Sequence, residues 1–200
     1  MTEGKYLIGL AGGIGSGKST VARVLELLGI PRYDSDSEMK RLYDQDAALH
    51  DGLEKLFGAG VFAEGRLDRR ALSKEVFGHP ERLEALNALA HPALVRDFRR
   101  WVQAQTAPAV LFESALLFSA RLDLSFDRTL AVVTPLEERV SRVCRRSGLT
   151  RREVLDRISH QLSDRETVER ADQVIYNAES DAVLPQLLPL VERLNQLELS

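Results

Sequence analysis

The sequence predicts an α/β protein built on a doubly wound, five-stranded parallel sheet, and two observations carry that prediction. Short apolar segments alternate with stretches in which apolar residues recur at helical spacing, as expected of strands joined by helical crossovers. The first strand and the helix after it are joined by a glycine-rich turn. A turn of that kind in that place is typical of nucleotide-binding α/β domains.

Composition excludes several classes of protein. The chain has 200 residues, 44% of them hydrophobic and 28% charged, which is ordinary for a globular domain. Its net charge of -3 gives no general reason to expect nucleic acid or anionic lipid as a partner. Cys144 is the single cysteine, so an intramolecular disulfide and a cysteine metal cluster are excluded. Because no signal pattern or long apolar run is present, we expect a cytoplasmic protein without membrane contact.

The first element is a predicted buried strand at residues 6–11 (YLIGLA). Residues 12–19 (GGIGSGKS) fit the phosphate-loop pattern G-x-x-x-x-G-K-[ST] at every fixed position. Apolar residues then recur at helical spacing from Val21 to Leu28, and Gly29 supplies a stop. Strand, glycine-rich turn and helix form the context that this motif requires.

The residue types of the motif suit triphosphate binding. Glycines let successive N–H groups turn toward anionic oxygens, and the helix directs its positive end to the same place. Lys18 is expected to reach the β- and γ-phosphates, and the Ser19 hydroxyl to join the coordination sphere of Mg²⁺. The expected ATP contacts in this segment are Gly13, Gly15, Ser16, Gly17, Lys18, Ser19 and Thr20.

A second short strand is predicted at residues 30–34, and acidic residues follow it at Asp36 and Glu38. Capping of the next helix by Ser35 or Asp36 would explain one aspartate of the Asp34–Asp36 pair. Functional groups of parallel sheets gather at the carboxyl ends of the strands. Asp36 is therefore a candidate catalytic residue.

Residues 49–105 are predicted to form an α-helical insertion between the second and third strands, without an obvious strand of their own. Turn signals divide the helical patterns at residues 58–60, 65, 78–80 and 91–92. Trp101 is expected to pack within the insertion.

The remaining strands are predicted at residues 109–113, 129–133 and 173–176. The last segment, residues 184–197, has a helical pattern with Pro189 inside it, where we expect a break or a kink.

An arginine-rich segment lies between the fourth and fifth strands. Residues 139–152 contain six arginines and no acidic residue, and Arg139, Arg142 and Arg146 have the spacing of one helix face. Capping boxes at Thr150–Glu153 and Ser163–Glu166 predict that two further helices begin there in quick succession. A solvated basic face is the usual meaning of such a run, but beside a phosphate loop arginines also suit stabilisation of a transferring phosphoryl group.

The chain resembles the dephospho-CoA kinase family over almost its whole length. The resemblance rests on five segments: residues 10–22 with their doubled glycine, the D-x-D of residues 34–36, G-R-L-D-R at 65–69, L-N to H-P at 86–92, and A-D-Q-V-I-Y-N at 171–177. It implies ATP-dependent phosphorylation of the ribose 3′-hydroxyl of dephospho-CoA, the final step of coenzyme A biosynthesis.

The resemblance also implies roles for individual residues. Asp36 would act on the acceptor hydroxyl, Arg142 and Arg146 would be lid arginines that close over ATP, and Asn177 would contact adenine. The acceptor side would be formed by Asp68, Arg69, His91 and Arg96, although a histidine such as His91 is often only a structural cap. The expected partners are ATP, Mg²⁺ and dephospho-CoA, in a monomer or weak homo-oligomer.

The family further implies a P-loop kinase-like arrangement of three parts. Residues 1–48, 106–138 and 171–200 would form the nucleotide-binding core, residues 49–105 the helical acceptor insertion, and residues 139–170 the lid.

Some positions depart from the family pattern. Residues 115–119 read A-L-L-F-S where P-L-L-F-E is common, Arg139 stands at a glutamine position, and Ser147 at an aspartate position. Glu113 ends the third strand, and two roles are open for it: orienting Mg²⁺-bound water, or only ending the strand.

Two other functions fit part of the pattern. One is another P-loop kinase that acts on a nucleotide or a small metabolite, since a fold does not fix the substrate. The other is a nucleotide-dependent switch, which would normally carry N-K-x-D and D-x-x-G at places where neither motif is evident here.

Overall fold

A computed structural model of the chain describes residues 4–120 and 124–197. The strands are β1 (Tyr6–Ala11), β2 (Arg32–Asp34), β3 (Phe62–Ala63), β4 (Arg66–Leu67), β5 (Ala109–Glu113), β6 (Arg128–Val133) and β7 (Gln173–Tyr176). The helices are α1 (Lys18–Leu27), α2 (Ser35–Gln45), α3 (Ala47–Phe57), α4 (Arg69–Val76), α5 (Pro80–Ala104), α6 (Leu136–Ser147), α7 (Arg151–Ser159), α8 (Asp164–Arg170) and α9 (Val183–Leu197). None of the helices in the described ranges is both long and apolar enough to cross a bilayer.

The described residues divide into two compact units. The first contains the chain up to Asp34, residues 102–120 and the chain from Ser125 onward, and the second contains Ser35–Trp101. The core, insertion and lid proposed from the sequence are a functional division, which these units do not test and which stays a prediction.

The first unit is built on a five-stranded sheet in the order β2-β5-β1-β6-β7, with every neighbouring pair parallel. This confirms the predicted fold class. Two strands begin at slightly different positions from those predicted, β2 at Arg32 and β6 at Arg128. The carboxyl ends of β1 and β5 lie side by side, because Leu10 pairs with Glu113.

The core of the first unit lies between this sheet and two helices. Inward-facing strand residues such as Ile8 and Leu111 pack with Leu25 of α1 and Leu187 of α9, and all four are fully buried. Burial of each such side chain contributes about 1.5–3 kcal/mol. The core therefore fixes α1, and with it the phosphate loop, against the sheet.

Two prolines lie inside helices that continue through them. The predicted turn at residues 91–92 is wrong, because α5 runs unbroken past Pro92. A break or a kink was predicted at Pro189; α9 is continuous, so the helix does not break there, and the kink stays a prediction. A proline in a helix interior costs about 3 kcal/mol. Buried neighbours such as Leu94 and Leu190 offset that cost through their packing.

The second unit also departs from expectation in its strands. The insertion was expected to contain none, yet β3 and β4 form a small antiparallel hairpin. The turn between them contains Glu64 and Gly65, both with positive φ, and strands of two residues are too short to give an alternating pattern. Trp101 stacks on Phe98 at 6.1 Å, which confirms its predicted packing role.

Candidate active site

The phosphate loop joins β1 to α1 in the first unit. Gly17 is the N-cap residue of α1 and has a left-handed backbone, with φ of 82°. Glycine has no side chain that could cap the first-turn amides of α1. The Gly17 carbonyl accepts from the N–H groups of Thr20 at 2.9 Å and Val21 at 3.1 Å, and the N–H groups of Lys18 and Ser19 receive no bond from Gly17. These N–H groups and the helix dipole make the loop suited to an anion.

A side-chain amide from the far end of the chain supports this loop. Asn177, which follows β7, donates from Nδ2 to the carbonyl oxygen of Ser16 at 2.8 Å. A Cβ atom at Gly17 would collide with the same Asn177 nitrogen, so close approach as well as φ requires glycine there. The Thr134 hydroxyl lies 2.9 Å from the Ser16 carbonyl and 3.0 Å from that of Asn177, and its one proton serves either acceptor.

Glu113, at the end of β5, holds the two motif side chains that were expected to meet phosphate and metal. Its carboxylate is buried, and Oε1 accepts from Lys18 Nζ and from the Ser19 hydroxyl, each at 2.8 Å. Glu113 is therefore more than the last residue of a strand, because it joins the phosphate-loop lysine to the predicted metal ligand.

The second oxygen of Glu113 faces Arg32 of β2. Arg32 Nε lies 2.8 Å from Oε2 of Glu113 in an ion pair without hydrogen-bond geometry. The same guanidinium donates from Nη2 to Asp34 Oδ2 at 2.7 Å. Two cations thus neutralise one buried carboxylate.

The oxygen donors at this point suit Mg²⁺, which prefers hydroxyl, carboxylate and phosphate oxygens. Ser19 supplies a hydroxyl within 2.8 Å of the Glu113 carboxylate. In residues 4–120 and 124–197, no group of three or more His, Cys, Asp or Glu side chains could hold a metal ion. A magnesium ion would therefore need phosphate and water ligands in addition to Ser19.

The arginines of α6 differ in what they contact. Arg139 is 3% exposed, donates from Nε to the Ile14 carbonyl at 3.0 Å, and pairs with Asp164 Oδ1 at 2.6 Å. A solvated basic face, one of the two interpretations of this arginine run, does not describe Arg139. Its side chain connects the phosphate loop to the first turn of α8.

A second contact ties the same loop to the segment after α7. Ile14 N–H donates to Gln161 Oε1 at 2.8 Å. The Ile14 side chain packs against buried Val140, Val143 and Val154, which form the small core of α6 and α7. Both capping boxes predicted in this region are present, at Thr150 and at Ser163.

Arg142 and Arg146 were predicted as lid arginines. Arg142 donates to the Asn177 carbonyl at 2.9 Å and pairs with Glu138 at 3.0 Å. Arg146 is exposed one turn further along α6. Arg142 therefore lies beside the phosphate loop, since it shares Asn177 with the Ser16 carbonyl.

In the second unit, Asp36 is the second residue of α2. The helix begins at Ser35, so Ser35 and Asp36 lie in its first turn. Asp36 lies two residues after the end of β2, as predicted from the sequence. Its chemical role stays a prediction.

The other predicted acceptor residues lie on α4 and α5. Asp68 is the N-cap of α4 and accepts from the backbone N–H groups of Arg70 at 2.8 Å and Ala71 at 3.2 Å. Arg69 lies 3.6 Å from Asp44, and Arg96 lies 4.0 Å from Asp46.

His91 is half-buried in α5. Burial lowers its pKa below the ordinary value, because the charged imidazolium loses solvation. Contacts of Asp68, Arg69, His91 and Arg96 with the acceptor substrate stay a prediction.

Four residues near the phosphate loop were not assigned to the site from the sequence: Arg32, Thr134, Gln161 and, in its actual role, Arg139. The alternation of Arg32 with Asp34 on a short strand was a usable signal, because side chains two residues apart share a face. The contacts of Gln161 and Arg139 depend on how α6 to α8 fold back, and no local pattern reports that.

Comparison with known proteins identifies the family of this site. The model of the family described as CoaE, dephospho-CoA kinase, matches residues 6–182. A dephospho-CoA kinase of Thermus thermophilus is 43% identical over 185 residues, covering 92% of this chain and 89% of the relative. A dephospho-CoA kinase of Bacteroides fragilis is 36% identical over 190 residues, covering 94% and 93%.

Solved structures agree with these relatives. The crystal structure of TT1252 from Thermus thermophilus has a TM-score of 0.85 at 41% identity and covers 96% of this chain and 98% of that one. A dephospho-CoA kinase from Campylobacter jejuni has a TM-score of 0.67 at 21% identity, covering 96% and 98%, and so supports the fold alone.

Proposed function

Because the chain belongs to the dephospho-CoA kinase family, we propose that it transfers the γ-phosphoryl group of ATP to the ribose 3′-hydroxyl of dephospho-CoA, giving coenzyme A. The observation that carries this proposal is the buried contact of Glu113 with Lys18 and Ser19 beside the phosphate loop. The contact supports the proposal because it holds a lysine amine and a hydroxyl at the amino-terminal end of α1, beside the phosphate loop.

In the proposed reaction the acceptor oxygen attacks the γ-phosphorus in line. The bond from that phosphorus to the β–γ bridging oxygen breaks, and ADP leaves with the bridging oxygen. No covalent phosphoenzyme is needed. The loop amides and Lys18 neutralise the charge on the β- and γ-phosphates, and Arg142 and Arg146 stabilise the charge on the transferring group.

Asp36 is the proposed general base. The proton of the ribose hydroxyl passes to its carboxylate as the new oxygen–phosphorus bond forms. Its place just after β2 supports this role, because acidic residues that act on substrates lie beyond the carboxyl ends of parallel strands. Asp68, Arg69, His91 and Arg96 are the proposed acceptor contacts, and residues 49–105 the proposed acceptor insertion.

Mg²⁺ is the proposed cofactor, with Ser19 as its protein ligand and Glu113 beside Ser19. When bound, the ion supplies charge neutralisation for the phosphates. The cytoplasm is the proposed compartment, since ATP is available there, and a monomer or weak homo-oligomer the proposed state. Asn177 is the proposed adenine contact.

The test is an ADP-release assay on the purified full chain with Mg²⁺ and ATP, comparing dephospho-CoA with AMP, a small polyol and no acceptor. We expect rapid release with dephospho-CoA alone. Preference for AMP or the polyol would identify another kinase of the same fold. Equal release with and without acceptor would contradict phosphoryl transfer altogether.

A further inference from the structure

Arg32 lies on the edge strand β2, and its guanidinium faces two carboxylates of the first unit. Strand register brings them together: Arg32 and Asp34 share a strand face, and Asp34 is the pairing partner of Glu113 on β5. The Nε atom of Arg32 lies 2.8 Å from Glu113, and Nη2 lies 2.7 Å from Asp34. Nothing in the phosphate-loop motif requires an arginine at this position.

The burial of the three charged groups makes their pairing obligatory. The Glu113 side chain is 3% exposed, that of Lys18 12% and that of Arg32 22%. A buried carboxylate is tolerated when it is paired, and removing one partner of such a pair is strongly unfavourable. Lys18 and Arg32 meet this requirement from opposite oxygens of the same group.

Binding of ATP changes the pairing of Glu113 with its two cations. This inference rests on the proposed function. Lys18 must turn from Glu113 toward the β- and γ-phosphates. Glu113 then keeps Arg32 as its cation. We propose that Arg32 is a positioning residue for phosphoryl transfer. It stays paired with the Glu113 carboxylate, so that Lys18 can turn to ATP without leaving a buried carboxylate unpaired.

A purely structural role for Arg32 makes a different prediction. If Arg32 only joined β2 to β5, its loss would lower stability with and without nucleotide, and neutralising Glu113 would not repair ATP binding. If Arg32 neutralises the Glu113 carboxylate after Lys18 has left it, loss of Arg32 weakens ATP binding only while residue 113 carries a carboxylate. The structural role therefore predicts no coupling between the two substitutions in ATP binding, and the positioning role predicts a large one.

The experiment measures the dissociation constant of ATP by titration calorimetry in EDTA, so that neither metal nor turnover contributes. The variants are Arg32→Gln, Glu113→Gln and the double variant, with Arg23→Ala as a control. Arg23 pairs with Glu26 on the exposed side of α1, so its loss removes an arginine without touching Glu113. Thermal melts without nucleotide report the stability of each variant.

We expect Arg32→Gln to weaken ATP binding about tenfold or more, because a buried carboxylate would lose its remaining cation. In the Glu113→Gln background the same substitution changes the constant by less than about threefold, and Arg23→Ala by less than about twofold. Arg32→Lys, which keeps the charge, recovers most of the affinity.

Equal weakening by Arg32→Gln in both backgrounds, or no weakening in either, would overturn the proposal. Should Arg32→Gln not fold, the double variant and Arg32→Lys decide the question. A change below about threefold from Glu113→Gln to the double variant, with most of the affinity kept by Arg32→Lys, supports the proposal. A larger change in the double variant, or a loss of about tenfold in Arg32→Lys, refutes it. The proposed function fails separately, since a chain that binds ATP with this coupling but releases no ADP with dephospho-CoA would refute only the activity.

Discussion

The phosphate-loop region and the helical unit both carry motif residues of the family, but the contacts of those residues differ. Around the phosphate loop, motif side chains meet partners from distant parts of the chain, such as Lys18 with Glu113 and Asn177 with Ser16. In the helical unit, Asp68 accepts bonds from the backbone of the helix that it begins.

This difference teaches how far a motif can be interpreted. Where a motif residue contacts groups that only the fold brings together, the contact itself is evidence for a role in the site. Where it caps its own helix, the same residue type has a sufficient local reason to be present. Substitutions can decide between a role in the site and a local structural role. The largest effect is expected at the residue for which these two roles predict the most different activities.

Asp36→Asn should give the largest effect. Without a carboxylate to take the proton, turnover with dephospho-CoA should fall by about 10²–10⁴-fold, while the ATP dissociation constant stays within about twofold. Steady-state assays and calorimetry measure the two quantities. Glu38→Gln, on the same first turn of α2, is the matched control; near-normal turnover by Asp36→Asn would remove the catalytic role.

Arg142 and Arg139 sharpen the comparison within a single helix. Arg142→Ala should lower turnover about 10²–10³-fold with little change in melting temperature, because its proposed role is in the transfer. Arg139→Ala should instead lower the free energy of unfolding by about 2–3 kcal/mol, because it removes a buried guanidinium paired with half-exposed Asp164.

Chemical denaturation and kcat of both arginine variants provide the measurements. Parallel loss of stability and turnover in the Arg142 variant would mean that Arg142, like Arg139, acts through the fold.

Asp68 tests whether a cap is also a substrate contact. Asp68→Ala should lower the free energy of unfolding by about 1 kcal/mol through loss of the cap, whereas Asp68→Asn should keep that stability. If the carboxylate binds the acceptor, Asp68→Asn raises KM for dephospho-CoA several-fold at unchanged kcat. An unchanged KM would leave Asp68 a cap alone.

His91 should give the smallest effect. Because burial lowers its pKa in the folded state, the unfolded chain binds the proton more readily, and stability should fall as the pH drops below the ordinary value of 6.5. His91→Gln should reduce that acid-dependent loss in thermal melts between pH 7 and about pH 5. Exposed His79→Gln is the control, and identical pH profiles for both variants would contradict the expectation.

The sheet and phosphate loop could be predicted from sequence because their signals are local. The strands at residues 109–113 and 173–176 have the predicted bounds, since buried parallel strands are short apolar runs with clear ends. The helix through Pro92 could not be predicted, because the packing that offsets the proline comes from residues distant in sequence.

The site divides along the same line. The residue types of Lys18 and Ser19 followed from the motif, but their shared bond to Glu113 depends on the pairing of β1 with β5. A strand-ending glutamate is compatible with several roles, and only the register brings it beside Ser19. The contacts of Arg139 could not be predicted for a related reason. Helix spacing indicates which residues share a face, but tertiary folding determines what that face contacts.

The bond from Asn177 to Ser16 spans 161 positions of the chain. Contacts between such distant residues form late, and a ribosome releases the amino-terminal part first. The triphosphate cradle of this enzyme would thus be finished only after β7 emerges from the ribosome. A nascent polypeptide cut before residue 171 should fail to retain ATP, which makes nucleotide capture a sign that the last strand of the sheet is in place.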